Sequence, residues 1–292
     1  MTNSEAIRWT VCSPTEHQQR TEAHMTDPAA LMAFNIAAIA VYLSAFGYLF
    51  KQARLQRSSE RSWVISFTCT AILCHGLGSY GTLFTERGVQ LGFFQVGALI
   101  FWVINLLVLV SGLRKPLHNL FLFLFPLSAV AILSSLLSPN GEVFIDHLSN
   151  AIVGHILLSI LAYSLLIIAA LQAIVLAYQD RQIKHKHPNG LVRLLPPMQT
   201  MEALLFELLW VGELALTLAI ATGVLFVDDL MAQHLAHKTV FSVSAWLIYA
   251  TLLWGRHFLG WRGNSAIRWS LGGFSALMLA YFGSKFVLEI IL

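Results

Sequence analysis

Charge is scarce in this sequence: Asp, Glu, Lys and Arg supply only 11% of its 292 residues, and the net charge at neutral pH is +3. Nucleic-acid binding needs a concentrated basic face. The basic residues here are spread over short connections between apolar runs, so DNA and RNA are excluded as partners. Cysteine is almost missing as well. Cys12, Cys69 and Cys74 form no CxxC pair, and the last two lie inside an apolar run, which leaves neither a disulfide framework nor a zinc site. Their role is packing. Residues 1–24 are polar and lack the apolar core of a cleaved signal peptide. Composition changes abruptly after His24, so Met25 is an expected alternative start.

What the chain has instead is apolar length. Hydrophobic residues make up 57% of it and the mean hydropathy is +0.69, with repeated stretches of about 20 apolar residues. This pattern predicts an all-α polytopic membrane protein. Hydropathy and helix breakers place spans near 29–50, 63–84, 91–112, 117–137, 151–178, 204–227, 239–258 and 268–291. Eight transmembrane helices in one bundle follow, forming a single domain over 29–292 behind a polar extension, 1–28, expected to be disordered. Thirteen of the 18 Lys and Arg residues fall in alternate connections, including Arg54, Arg57, Arg61, Arg114, Arg181 and Arg262. Only Arg8, Arg20, Arg87, Lys238 and Lys285 fall on the other side. Basic connections stay in the cytoplasm, so both termini are expected outside. The longest cytoplasmic connection, DRQIKHKHPNGLVRLLPP, carries the loop signals Pro188, Asn189, Gly190 and Pro196.

With so few polar groups, the histidines carry the functional question. His155 lies in span five at a depth of about 5–10 Å by helix rise. An intramembrane ionisable group is functional by default. Imidazole is also a common metal or heme ligand, coordinating through one nitrogen while a hydrogen bond orients the other. The alternative is a packing histidine bonded to a carbonyl. His75 lies about 13 Å below the outer surface in span two. Two histidines at comparable depth could clamp one flat macrocycle, with Gly76, Gly78 and Gly154 leaving space, although small residues also serve plain helix contact. His237 and His257 bracket span seven about 30 Å apart, too far to share a metal ion. Each is either an interfacial histidine or a ligand with its own partner. His185 and His187 alternate with lysines in a solvated loop. Glu213, about ten residues into span six, is costly unless paired or protonated; it either meets a partner across the bundle or lines an ion path. Glu202 and Glu207 lie nearer the cytoplasmic end, within reach of water. Lys285 reads as a snorkelling anchor, and Trp63, Trp246, Trp254, Trp261 and Trp269 suit an aromatic belt.

Several stretches together resemble the cytochrome c assembly family of heme-handling membrane proteins, closest to its short HemX-like and YpjD-like members. They are LCHG around His75, VGHILLSILAYSLLIIAALQAIVLAYQDRQ around His155, LTLAIATGVLF in span six, and HKTVFSVSAWLIYATLLWGR followed by GWRG and YFGSKF. The resemblance runs over about residues 30–290. It implies heme as a cofactor, an inner-membrane location, and other cytochrome c maturation proteins as partners. His155 matches the family's first outer heme-ligating histidine, and the second would fall beyond Leu292. The family's tryptophan-rich WWD loop is replaced by DDLMAQHLAHK, with Lys238 aligned to its lysine and His237 where proline would stand. Trp254 occupies the position of the span-seven histidine, and His257 follows one turn later. These departures carry over no complete ligand pair.

The expected function is therefore heme binding or handling between His155 and His75, with His257 and His237 as further candidate ligands, and no turnover chemistry. A heme-free regulatory or assembly partner acting through the 179–203 connection is the alternative. An ion-coupled transporter using Glu213 is a third, although neither an inverted repeat nor a broken helix pair is visible.

Overall fold

The computed structural model describes residues 28–57, 59–85, 88–115, 120–138, 144–145, 149–184, 195–226 and 233–286. Eight long helices lie among them: α1 (Pro28–Arg54), α2 (Arg61–Leu83), α3 (Phe93–Gly112), α4 (Phe121–Leu137), α5 (Asn150–Lys184), α6 (Met198–Phe226), α7 (Gln233–Phe258) and α8 (Asn264–Phe286). Five of them, α1, α2, α3, α5 and α6, are long and apolar enough to cross a membrane. α4 is apolar but only 17 residues long and carries Pro126. α7 and α8 have the length, at 26 and 23 residues, but are more polar.

The helices close into two quartets. α1 packs on α2 and α4, and α3 packs on α2 and α4; α5 packs on α6 and α8, and α7 packs on α6 and α8. Consecutive helices run antiparallel. In the second quartet, for instance, Gln172 of α5 donates to the Met201 carbonyl at 3.1 Å, while His155 meets Ala219 and Thr222 near the opposite end of α6. Each quartet thus closes in chain order, every helix packed on its sequence neighbours and the first on the fourth. α3 joins them by packing against α5, and the Tyr281 hydroxyl of α8 donates to the Phe93 carbonyl at the start of α3 at 2.8 Å. Inside lipid, apolar burial drives little association, so close packing and interhelical hydrogen bonds must hold such seams. In the first quartet Asn105 of α3 donates to Ser128 of α4 at 2.7 Å, and Trp102 of α3 donates to the Ile72 carbonyl of α2 at 2.9 Å.

Among the described residues three short strands accompany the helices of this all-α fold. β1 (Phe84–Thr85), β2 (Gly88–Gln90) and β3 (Phe144–Ile145) form one antiparallel sheet in the order β1-β2-β3. The register pairs Phe84 with Val89 and Val89 with Ile145. The sheet ties the α2–α3 turn to the segment that leads into α5.

At the opposite end, GWRG forms the α7–α8 turn. Gly260 and Gly263 hold φ of +67° and +54°, a region that side-chain-bearing residues rarely enter. Trp261 between them stacks on Trp269, with ring centroids 5.3 Å apart. Arg256 closes the corner by donating to the Trp261 carbonyl at 3.2 Å and to Glu202 of α6 at 2.9 Å, with its guanidinium over the Phe206 ring. Arg262 adds a second bond to the same Glu202 oxygen at 3.2 Å. Glu202 is therefore buried and paired, not reached by water as its position near a helix end had suggested.

Candidate functional site

His155 stands on the second turn of α5 and points into the seam with α6. Its Nδ1 lies 2.9 Å from the Ala219 carbonyl and 3.2 Å from the Thr222 hydroxyl. A carbonyl can only accept, and the Thr222 hydroxyl already donates to the Leu218 carbonyl at 2.9 Å. Nδ1 must therefore carry the proton, which leaves the lone pair on Nε2. Gly223 makes room for the ring, since a Cβ there would come 3.0 Å from Cε1. One ring nitrogen is thus anchored while the other keeps its lone pair.

His75 occupies the interior of the first quartet with no solvent exposure. Its Nδ1 lies 3.3 Å from the hydroxyl of Tyr42 on α1, whose ring meets the imidazole edge-on. Nε2 has no hydrogen-bond partner. Either that nitrogen is an unpaired donor, with Tyr42 donating to Nδ1, or it is an unspent lone pair, with Nδ1 donating to Tyr42.

The two histidines are not brought together. His75 belongs to the α1–α2 seam and His155 to the α5–α6 seam, in different quartets, and α2 and α5 share no extended packing. Similar depth left their lateral separation open, and the helix order decides it. His257 lies exposed at the end of α7, its ring edge-on to Phe258. Trp254 is also exposed, so it forms no interior wall. The side chains of His237 and Lys285, and all of His185 and His187, lie outside the described residues, as do Met25 and the 1–27 segment. Cys69 is exposed and Cys74 half-buried, both free. No group of three His, Cys, Asp or Glu capable of holding a metal ion occurs among the described residues.

Glu213 points into the second quartet with both carboxylate oxygens unpartnered. Trp210, one turn before it on α6, is exposed. Trp246 is no simple belt residue either, because its indole donates to Thr217 of α6 at 2.9 Å. Tyr42, Ala219 and Thr222 were missed as supports of the histidines. LTLAIATGVLF contains the last two, but only helix pairing shows which face meets His155.

Apolar helices that hold two imidazoles in their seams define a multi-pass membrane protein whose polar chemistry lies between helices. The chain belongs to the cytochrome c assembly protein family, whose family model matches residues 63–292. It is 30% identical over 266 residues to the inner membrane protein YpjD of Escherichia coli K12, covering 90% of this chain and 98% of that one. An uncharacterized 28.8 kDa protein from Azospirillum brasilense is 36% identical over 140 residues, 47% of this chain and 52% of its own length. No solved structure matches the chain.

Proposed function

We propose that this chain binds and hands on heme in the bacterial inner membrane, as a non-enzymatic component of cytochrome c biogenesis. The observation that carries this reading is the fixed tautomer of His155, whose Nδ1 is committed to Ala219 while Nε2 keeps its lone pair. Family membership and the inner-membrane relative in Escherichia coli support it. The donor set fits the group: His155 would hold the iron from Nε2, and the partnerless Nε2 of His75 offers a second imidazole in the other quartet. Heme supplies an iron with axial positions that such nitrogens fill. Eight spans with both termini outside complete the proposal, since Lys51, Arg54, Arg61, Arg181, Lys184 and Arg256 lie at helix ends on one side of the bundle. Other cytochrome c maturation proteins are the partners in this reading.

Heme loading of the purified protein, read by its Soret band, tests the reading. The band is expected in the unaltered protein and lost in His155→Ala. Loss in His75→Ala as well would make both imidazoles necessary, whereas retention there would leave His155 as the ligand. No band, or one unchanged in both variants, overturns the site.

A further inference from the structure

Among the described residues, the packing of the second quartet leaves the buried side chains of Glu213, Tyr249 and Ser270 without partners. Glu213 of α6 is 7% exposed, Tyr249 of α7 1% and Ser270 of α8 1%. Neither oxygen of Glu213, nor the hydroxyl of Tyr249 or of Ser270, has a hydrogen-bond partner. Trp246 of α7 donates to Thr217 of the antiparallel α6 at 2.9 Å, so Glu213, one turn before Thr217, stands level with Tyr249, about one turn after Trp246. The Tyr249 ring rests on Gly273 of α8, where a Cβ would come within 2.7 Å of it. Ser270 lies one turn before Gly273 on the same helix face. Three helices thus turn oxygen atoms toward one interior.

The unspent hydroxyl of Ser270 is out of pattern. Helical Ser and Thr residues commonly satisfy themselves by donating to the carbonyl four residues back. Ser275 does so to Leu271 at 2.9 Å and Thr217 to Glu213 at 2.8 Å. The carboxylate is further out of pattern, because an ionised group in an apolar span needs a counter-charge. Among the described residues none pairs with it. Glu202, Arg256 and Arg262 are joined to one another at the end of the quartet. α5 presents Leu165 and Leu166 beside Gly212, and on α7 the indole of Trp246 is engaged with Thr217.

We propose that Glu213, Tyr249 and Ser270 form a site for one small monovalent cation, a proton or Na⁺, inside the second quartet. A single positive charge cancels the carboxylate, whereas a divalent ion would leave net charge in an apolar interior. Phenol and serine oxygens complete the kind of donor set that hard cations take. The site shares no residue with the heme reading and stands or falls separately.

The test is reaction of the purified protein with dicyclohexylcarbodiimide, which adds to protonated carboxyl groups in apolar surroundings, with the adduct located by peptide mass spectrometry. Glu213 is expected to be labelled, and Glu213→Gln to remove the adduct from that peptide. Labelling that falls only as pH rises identifies the proton. Labelling that falls when Na⁺ replaces choline at fixed pH identifies Na⁺. Tyr249→Phe and Ser270→Ala should each shift the half-protecting H⁺ or Na⁺ concentration about threefold, the effect of one interhelical hydrogen bond in a membrane. The proposal is overturned by no adduct at Glu213, by labelling indifferent to both pH and Na⁺, or by profiles of those two variants that superimpose on the unaltered protein.

Discussion

Arg256, at the end of α7, donates from Nη1 to Oε1 of Glu202 near the start of α6, at 2.9 Å. The side chains are 28% and 10% exposed, whereas Arg262 on the same carboxylate is 64% exposed. Removing one partner of a buried pair strands the other charge, while an exposed partner contributes little. Glu202→Ala is therefore expected to cost about 3 kcal/mol, the low end for a buried pair, and Arg262→Ala under about 1 kcal/mol. Thermal unfolding in detergent reads the difference, and equal losses in the two variants would contradict the assignment.

Two adjacent glycines of α8 give a sharper contrast. A Cβ at Gly273 would come 2.7 Å from the buried Tyr249 ring, whereas one at Gly272 would meet nothing within 4 Å. Overpacking costs about 1–3 kcal/mol, so Gly273→Ala should lower the unfolding temperature. Gly272→Ala should leave it unchanged or raise it, since alanine favours the helix.

Gly223 gives the heme reading a second handle. Because the His155 ring rests against it, Gly223→Leu should displace the imidazole and reduce heme retention as far as His155→Ala does. Thr222→Val should retain the band, because the Ala219 carbonyl still accepts from Nδ1. Soret absorbance per mole of protein is the measurement, and full retention in Gly223→Leu would count against His155 as the ligand.

Topology has a direct test. In a background with Cys12, Cys69 and Cys74 replaced, Glu142→Cys should react with a membrane-impermeant maleimide in intact spheroplasts. Lys186→Cys should react only after permeabilisation. The reverse pattern would invert the proposed orientation.

The helices were legible in the sequence because apolar runs and breakers punctuate them: each of the eight expected segments overlaps a helix, and five of those helices are long and apolar enough to cross a membrane. The sheet was not, since strands of two or three residues are too short to show an alternating pattern. His155 was legible as an ionisable group in an apolar run. Its partners on α6 lie 64 and 67 positions away and appear only once α5 and α6 pair. The same limit concealed Glu202, whose partner Arg256 lies 54 positions on. Depth along a helix axis follows from counting residues, but position around the bundle does not. That is why His75 and His155 look like neighbours in one dimension and occupy separate quartets in three.

α5 runs 35 residues without a break, about 52 Å by helix rise, against a hydrocarbon core of about 30 Å. It carries His155 near one end and Lys184 at the other, 29 residues apart and hence separated by about 44 Å. One unbroken rod therefore links the α5–α6 seam to the connection that follows Lys184. A tilt of only about 5° about the base would displace the His155 end by about 4 Å over that rise, more than the hydrogen bond that anchors its imidazole could span.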